Sequence, residues 1–266
     1  MFFNNKFKRR MKKLFWNNKT LILAYDHGLE HGPKDFNTIN VNPDFVFELA
    51  EKLRFNALVT QPGVAEKFSS SYKVPIIVKV NGKTNLGSEI VSRQNCSIKR
   101  ALKINPVGIG YTIYPGSEYE GVMFNELSNI IEEAHNYGLP VFVWSYPRSK
   151  SGIDDNNTDV IAYAARVALE LGADAVKLKY NNDFEGFKWV VNCASKTRVV
   201  VAGGFKTDDE NVLRIAEEVM NAGACGLTIG RNVWQNENPE RITLALKRII
   251  FDRKKIEDVL KEFYNK

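Results

Sequence analysis

The stretch Asp174-Ala175-Val176-Lys177-Leu178-Lys179-Tyr180 is apolar apart from its first residue and two lysines, and it has the composition of a strand. Residues two apart in a strand share a face, so Lys177 and Lys179 are expected to point the same way. Two ammonium groups on one buried face are each desolvated and repel one another. Both effects lower a lysine pKa towards neutrality, the condition an amine needs to attack a carbonyl. An edge strand carrying two solvated lysines accounts for the same seven residues equally well. The surrounding chain has to decide.

Working outward, short apolar runs rich in β-branched residues recur at Thr20–Asp26, Ala57–Thr60, Pro75–Val80, Val107–Ile113, Pro140–Tyr146, Asp174–Lys179, Arg198–Ala202 and Gly226–Gly230. Helix-length segments separate most of them, among them Tyr119–Tyr137, Thr158–Leu171, Phe184–Ala194 and Asp208–Ala222. Gly138, Gly172 and Gly223 follow three of these where a helix C-terminus places glycine. Eight strands alternating with helices predict a single-domain α/β fold, a (β/α)8 TIM barrel spanning 20–266 behind an N-terminal arm of residues 1–19. A doubly wound open sheet is the competitor, but no G-x-G-x-x-G follows the first strand.

The chain has 266 residues, 44% hydrophobic and 26% charged, a length that suits one large α/β domain. It holds no run of about 18 apolar residues, which excludes a membrane-spanning helix. Cys96, Cys193 and Cys225 are odd in number, far apart and without C-x-x-C spacing. They point to a reducing, cytoplasmic setting and away from a disulfide framework or a zinc site. Lys6, Lys8, Arg9, Arg10, Lys12 and Lys13 account for the whole charge excess, since 37 bases less these six leaves 31, against 31 acids. The body is therefore neutral and no nucleic-acid surface is expected of it; only the arm could contribute one. Phe2, Phe3, Phe7, Leu14 and Phe15 interleave with those bases. Without the serine enrichment of a transit peptide or a signal-peptide core, the arm reads as a first helix covering the domain.

In a (β/α)8 barrel, functional groups gather at the C-terminal ends of the strands. The first strand ends in Tyr25-Asp26-His27-Gly28-Leu29-Glu30-His31-Gly32-Pro33, with two of the chain's three histidines. The fifth ends in Trp144-Ser145-Tyr146-Pro147-Arg148, the sixth supplies the lysine pair, the seventh ends in Ala202-Gly203-Gly204-Phe205-Lys206 and the eighth in Gly230-Arg231-Asn232. The last two stretches match the place where such barrels often bind phosphate. Glycines there let backbone N–H groups approach an anion, and Arg231 adds a charge-assisted bond. His27 and His31, four apart, would ligate a metal if this segment were helical; it reads as a glycine-bearing loop, and His135 falls late in a predicted helix. Asp26 with His27 forms an acid/base pair or caps the first loop. No metal site is predicted.

At these residues the chain resembles the archaeal-type class I fructose-1,6-bisphosphate aldolases, Schiff-base enzymes of the family that also includes the 2-amino-3,7-dideoxy-heptulosonate synthases. The resemblance runs from about Thr20 to about Asn236, through LILAYDHGLEHGPKDF, NGKT at Asn81–Thr84, GYTIYPGS at Gly110–Ser117, VWSYPR, GADAVKLKY, AGGFKT and IGRNVWQ. It implies a barrel in a homo-oligomer, with a decamer expected, acting on a sugar phosphate without metal or cofactor. By the same resemblance, Lys177 forms the imine, Tyr146 is the general acid/base and Asp26 acts beside them. His27, His31, Trp144, Arg148 and Lys179 line the substrate pocket, and Ala202, Gly203, Gly204, Gly230 and Arg231 hold a phosphate.

Two positions depart from the family pattern. Ser-Gly-Gly-Pro is common where this chain has Ala202-Gly203-Gly204-Phe205, so a hydroxyl and a rigid proline are lost and a bulky ring is gained. Arginine is frequent at the position of Pro62. The heptulosonate-synthase branch tends towards Met-Asp-His-Gly-Val-Ser-Asn-Gly-Pro and Met-Tyr-Pro-Arg, unlike the blocks at Tyr25 and Trp144, which favours the glycolytic and gluconeogenic aldolase. A catalytically silent sugar-phosphate binder is the rival from another class.

Overall fold

Apolar runs such as Leu21-Ile22-Leu23-Ala24 form strands buried on both faces, as parallel strands covered by helices must be. The structure of the protein, a computed structural model, describes residues 5–265; Phe2 and Phe3 of the basic arm lie outside them. Its parallel strands are β1 (Thr20–Ala24), β2 (Ala57–Thr60), β3 (Ile76–Lys79), β4 (Gly108–Ile113), β5 (Val141–Ser145), β6 (Ala175–Leu178), β7 (Arg198–Ala202) and β8 (Gly226–Ile229). They pair in chain order, and β8 returns to β1 with Thr20 opposite Gly226 and Leu23 opposite Ile229. The result is a closed (β/α)8 barrel.

The outer helices include Glu120–Asn136, Thr158–Glu170, Phe184–Ala194 and Asp209–Asn221. Three of these start on side-chain caps. Asn157 accepts from Asp159 and Val160, Asp183 from Gly186, and Asp208 from Asn211. Gly138, Gly172 and Gly223 stand at φ of +67°, +91° and +102°, the left-handed region in which glycine ends a helix without strain.

Inside the barrel Ile22, Ala57, Val59, Ile77, Phe142, Ala175 and Val200 form a packed core rather than a pore. Its N-terminal end is sealed by the helix Asn5–Leu14, whose Phe7, Met11 and Leu14 recur at i, i+4 and i+7 and are buried. Phe15 stacks on Phe142 with centroids 5.7 Å apart, and Arg10 donates to the carbonyls of Tyr137 (2.7 Å) and Gly138 (2.9 Å). The basic arm is thus a plug with an apolar inner stripe, and its cations other than Arg10 are exposed.

Towards the C-terminal mouth the inward side chains change from aliphatic to Lys79, Trp144 and Lys177. Gly110, paired with Lys79 on β3, makes this possible. A Cβ there would lie 2.7 Å from the Trp144 ring and 3.1 Å from Lys79 Cδ, so only glycine lets the indole cross β4. Gly110→Ala is expected to destabilise the fold by about 1–3 kcal/mol, as overpacking does, and to quench or shift Trp144 fluorescence. A urea midpoint equal to that of the parent protein would contradict this placement.

Candidate active site

Lys177 lies one residue before the end of β6, with its neighbours fixed by register: Trp144 on β5 and Val200 on β7. Only 7% of it is exposed. Burial lowers its pKa from the ordinary 10.5 to about 8; the charges of Asp26 and Glu30 pull it up, while Lys79 and Arg231 press it down. About a tenth of such an amine is unprotonated at pH 7.

The expected partnership of Lys177 with Lys179 is corrected by the structure. β6 ends at Leu178, so the i, i+2 rule no longer applies to Lys179, which is partly exposed and binds Asp155 at 2.5 Å. The second buried lysine is Lys79, from the end of β3 and only 5% exposed. The two ammonium nitrogens, of Lys79 and Lys177, each stand 5.3 Å from the Trp144 ring centroid, so one indole serves two cations. Burial lowers the Lys79 pKa, against the pull of Asp26 and Glu30. Lys79 carries the same signal in the sequence as Lys177, a lysine at the C-terminal end of an apolar strand, at the end of Ile76-Ile77-Val78-Lys79.

Lys79→Met is expected to raise the pKa of Lys177. Each unit is tenfold in free amine, so trapping of the amine at pH 7 should slow by roughly three- to tenfold and recover at higher pH. Lys79→Arg, which keeps the charge, should retain the parent pH profile. A Lys79→Met profile superimposable on the parent's would remove Lys79 from this role.

Asp26 follows β1 and is mostly buried (12% exposed). Burial pushes its carboxyl up, but Lys177, His27 and Lys79 outweigh that and hold it ionised. His27 is driven the other way, to about 4, chiefly by burial, and is neutral at physiological pH. Its Nδ1 and the Trp144 Nε1 are buried with no hydrogen-bond partner among the described residues. Tyr146, just past β5, packs on the barrel interior. Burial, with the charges of Asp26 and Glu30, raises its phenol well above 10, so it stays protonated.

The segment after Asp26 corrects a second expectation. His27–His31 is a short α-helix continued by a 3-10 turn at Gly32–Asp35, not a loop. Gly28 lacks the side chain that would press on Phe36, 3.2 Å from where its Cβ would be. The helix puts the His27 and His31 rings 5.6 Å apart, yet they have separate partners: His31 Nδ1 meets Asp35 at 2.6 Å, and His27 Nδ1 lies 4.0 Å from Asp26. Among the described residues no three of His, Cys, Asp and Glu converge as a metal-holding group. Glu30, absent from the sequence reading, contacts Arg148 at 3.3 Å and Tyr114 at 3.4 Å, and the Arg148 guanidinium lies over the Tyr114 ring.

At the β7 and β8 ends the two glycines divide. The Gly203 N–H donates to Thr228 and is spent in the sheet, so it cannot also serve an anion; Gly204, at φ +68°, stands in open space. Ala202 closes β7 and pairs with Thr228. Asn232 holds the loop from below, donating to the carbonyls of Gly203 and Phe205 and accepting from the Thr207 N–H. Gly230 is required by crowding, since a Cβ would lie 2.6 Å from His27 and 2.7 Å from the Ala24 carbonyl. Pro62 starts the helix Pro62–Phe68. Asn81 of the NGKT block is structural: its amide bridges Ser92 and Thr112 beside the small hairpin Asn81–Gly82 and Arg93–Gln94. A cavity of about 730 Å³ lies away from this chemistry, beside Trp16, Lys247 and Phe251, where Lys247 caps the carbonyls of Leu53 and Arg54.

A closed barrel with a buried, low-pKa lysine at its C-terminal mouth is the architecture of an imine-forming aldolase, and the comparisons agree. The profile of DeoC/LacD family aldolases matches residues 20–236, and the chain belongs to that family. It is 45% identical over 246 residues to the class 1 fructose-bisphosphate aldolase of Thermoproteus tenax, covering 91% of this chain and 93% of that one. The class 1 fructose-bisphosphate aldolase of Halobacterium salinarum is 40% identical, with 92% and 95% covered. Among solved structures, an archaeal fructose-1,6-bisphosphate aldolase with its catalytic lysine covalently bound to the carbinolamine intermediate of the substrate is 43% identical. It superimposes with a TM-score of 0.87, over 92% of this chain and 99% of that one.

Proposed function

We propose that this protein is a class I fructose-1,6-bisphosphate aldolase, interconverting the bisphosphate with dihydroxyacetone phosphate and glyceraldehyde 3-phosphate. The observation that carries the reading is Lys177, whose ammonium is buried at the mouth and whose pKa lies about 8. The free Lys177 amine attacks the C2 carbonyl, and loss of water leaves a protonated imine. The C3–C4 bond then breaks with its electrons drawn into the imine, giving an enamine, while the C4 hydroxyl proton leaves and the aldehyde forms. Protonation of the enamine at C3 and hydrolysis return the amine and release the triose phosphate.

Tyr146 is the proton carrier at the C4 oxygen: as a phenol it donates to the aldehyde oxygen in condensation, and the phenolate this leaves is the form that takes the C4 hydroxyl proton in cleavage. Ionised Asp26 stabilises the positive charge of the imine. The open atoms of His27 and Trp144 take substrate hydroxyls, Arg148 and His31 border the pocket, and Gly204, Gly230 and Arg231 take a phosphate. Lys179, tied to Asp155, acts at the rim of the mouth. The family resemblance supports reading the enzyme as glycolytic and gluconeogenic, cytoplasmic and homo-oligomeric.

Borohydride reduction in the presence of dihydroxyacetone phosphate tests the reading, and should add the triose mass to the peptide carrying Lys177. No adduct, or one confined to Lys79 or Lys179, overturns the assignment. Faster turnover of heptulosonate precursors than of the bisphosphate would move the protein to the synthase branch.

A further inference from the structure

Arg231 is held more tightly than a phosphate-binding side chain requires. Its Nη1 lies 3.4 Å from Asp35 Oδ2, its Nη2 donates to the Gly204 carbonyl at 3.3 Å, and its guanidinium carbon stands 4.9 Å from the Phe205 ring centroid. The Arg231 Nε is buried with no partner among the described residues. A guanidinium has five N–H donors in a fixed fork, so its contacts with Asp35 and Gly204 leave donors unused.

Asp35 is itself fixed. Its carboxylate receives His31 Nδ1 at 2.6 Å, and its carbonyl accepts from Gln235 at 2.5 Å, just past the short helix that carries Arg231. Burial pushes the Asp35 carboxyl up, but the His31 hydrogen bond and the Arg231 charge hold it below its ordinary value, so it stays ionised. The segments after β1 and β8 are therefore cross-tied, and the Phe205 ring, itself 79% exposed, lies against the guanidinium.

We propose that Asp35 and Phe205 are positioning residues that hold Arg231 in the orientation from which its open donors take a phosphate, and that together they set the preference for phosphorylated over unphosphorylated ketoses. This rests on the aldolase reading above for the substrate class. The value of an arginine to a phosphate lies in its planar fork, which must be aimed; a freely rotating one acts only as a diffuse charge. Asp35 fixes the in-plane angle and the Phe205 ring fixes the plane. Phe205 thereby takes over the ordering of this loop, in place of the proline common in the family.

The test uses the full chain with Asp35→Asn, Phe205→Ala and Phe205→Trp. Binding of inorganic phosphate by calorimetry is expected to weaken roughly tenfold in Asp35→Asn, the scale of one charge-assisted hydrogen bond. It should weaken about threefold in Phe205→Ala, the scale of an exposed cation–π contact, and return in Phe205→Trp. The KM of dihydroxyacetone divided by that of dihydroxyacetone phosphate should fall by the same factors. Tighter phosphate binding in Asp35→Asn would show that the carboxylate competes with phosphate rather than aiming Arg231, and would overturn the proposal. So would equal changes in both KM values, which indicate a loosened fold. The phosphate titration needs no catalysis, so an inactive parent protein would defeat the aldolase reading and leave the positioning test standing.

Discussion

Replacing Lys177 with methionine is expected to lower the turnover of fructose 1,6-bisphosphate by roughly 10⁴-fold or more, as loss of a covalent nucleophile does. The borohydride adduct should vanish with it. The same variant should be more stable than the parent at pH 7. Lys177 has a pKa of about 8 folded against 10.5 in its ordinary state, so the folded protein binds this proton more weakly than the unfolded chain. Its ammonium therefore opposes folding, fully below about pH 8, and the opposition fades as the pH rises towards 10.5. The shift corresponds to at most about 3 kcal/mol, reduced by what Asp26 loses with its partner. Urea denaturation at pH 7 and pH 10 reads both parts: a higher midpoint for Lys177→Met at the lower pH, and a smaller gap at the higher. A variant less stable than the parent at pH 7 would contradict a strained, desolvated amine.

Tyr146→Phe separates chemistry from imine formation. Removing one oxygen leaves the ring packed against the barrel interior but takes away the group that moves a proton at the C4 oxygen. Turnover should fall by roughly 10²–10⁴-fold, the range of general acid–base catalysis. The Lys177 adduct with dihydroxyacetone phosphate should still form, because the amine and its neighbours are untouched. The raised pKa of the phenol has a second consequence, since it puts any loss of condensation rate from phenol ionisation above pH 10. Cleavage at parental rates in Tyr146→Phe would transfer the proton-carrying role to another group, such as Asp26, whose charge acts on Tyr146.

The barrel was legible because strands buried on both faces are unbroken apolar runs. Segments such as Ala57–Thr60 and Gly226–Ile229 leave little choice of structure, and the caps at Asn157, Asp183 and Asp208 mark where three of the outer helices begin. The site was legible where one residue carries its own signal, as Lys177 does. It was not legible where the signal lies in a relation across strands. Lys79 becomes the partner of Lys177 only because Gly110 opens a path for the Trp144 ring, an arrangement across four strands that periodicity along one strand does not reveal. The Lys177–Lys179 pairing failed on a single residue of strand length, since β6 stops at Leu178. The helix at His27–His31 was hidden by Gly28 and Gly32, which lower helix propensity in a sequence but are tolerated in one turn anchored at both ends.

The helix that plugs the barrel lies ahead of all its partners in the chain, so its contacts are made late. Phe15 waits for Phe142, Arg10 for Gly138, Asn18 for Arg198 and Lys19 for Phe251, so its anchoring spans most of the chain. Until those partners exist, an amphipathic helix with a bare apolar stripe must stay in solution without recruiting other nascent chains. Lys6, Lys8, Arg9, Lys12 and Lys13 give it the like-charge repulsion to do so. The basic arm is, on this view, a device of synthesis: a stopper kept dispersed by its charge until the vessel it closes has been built.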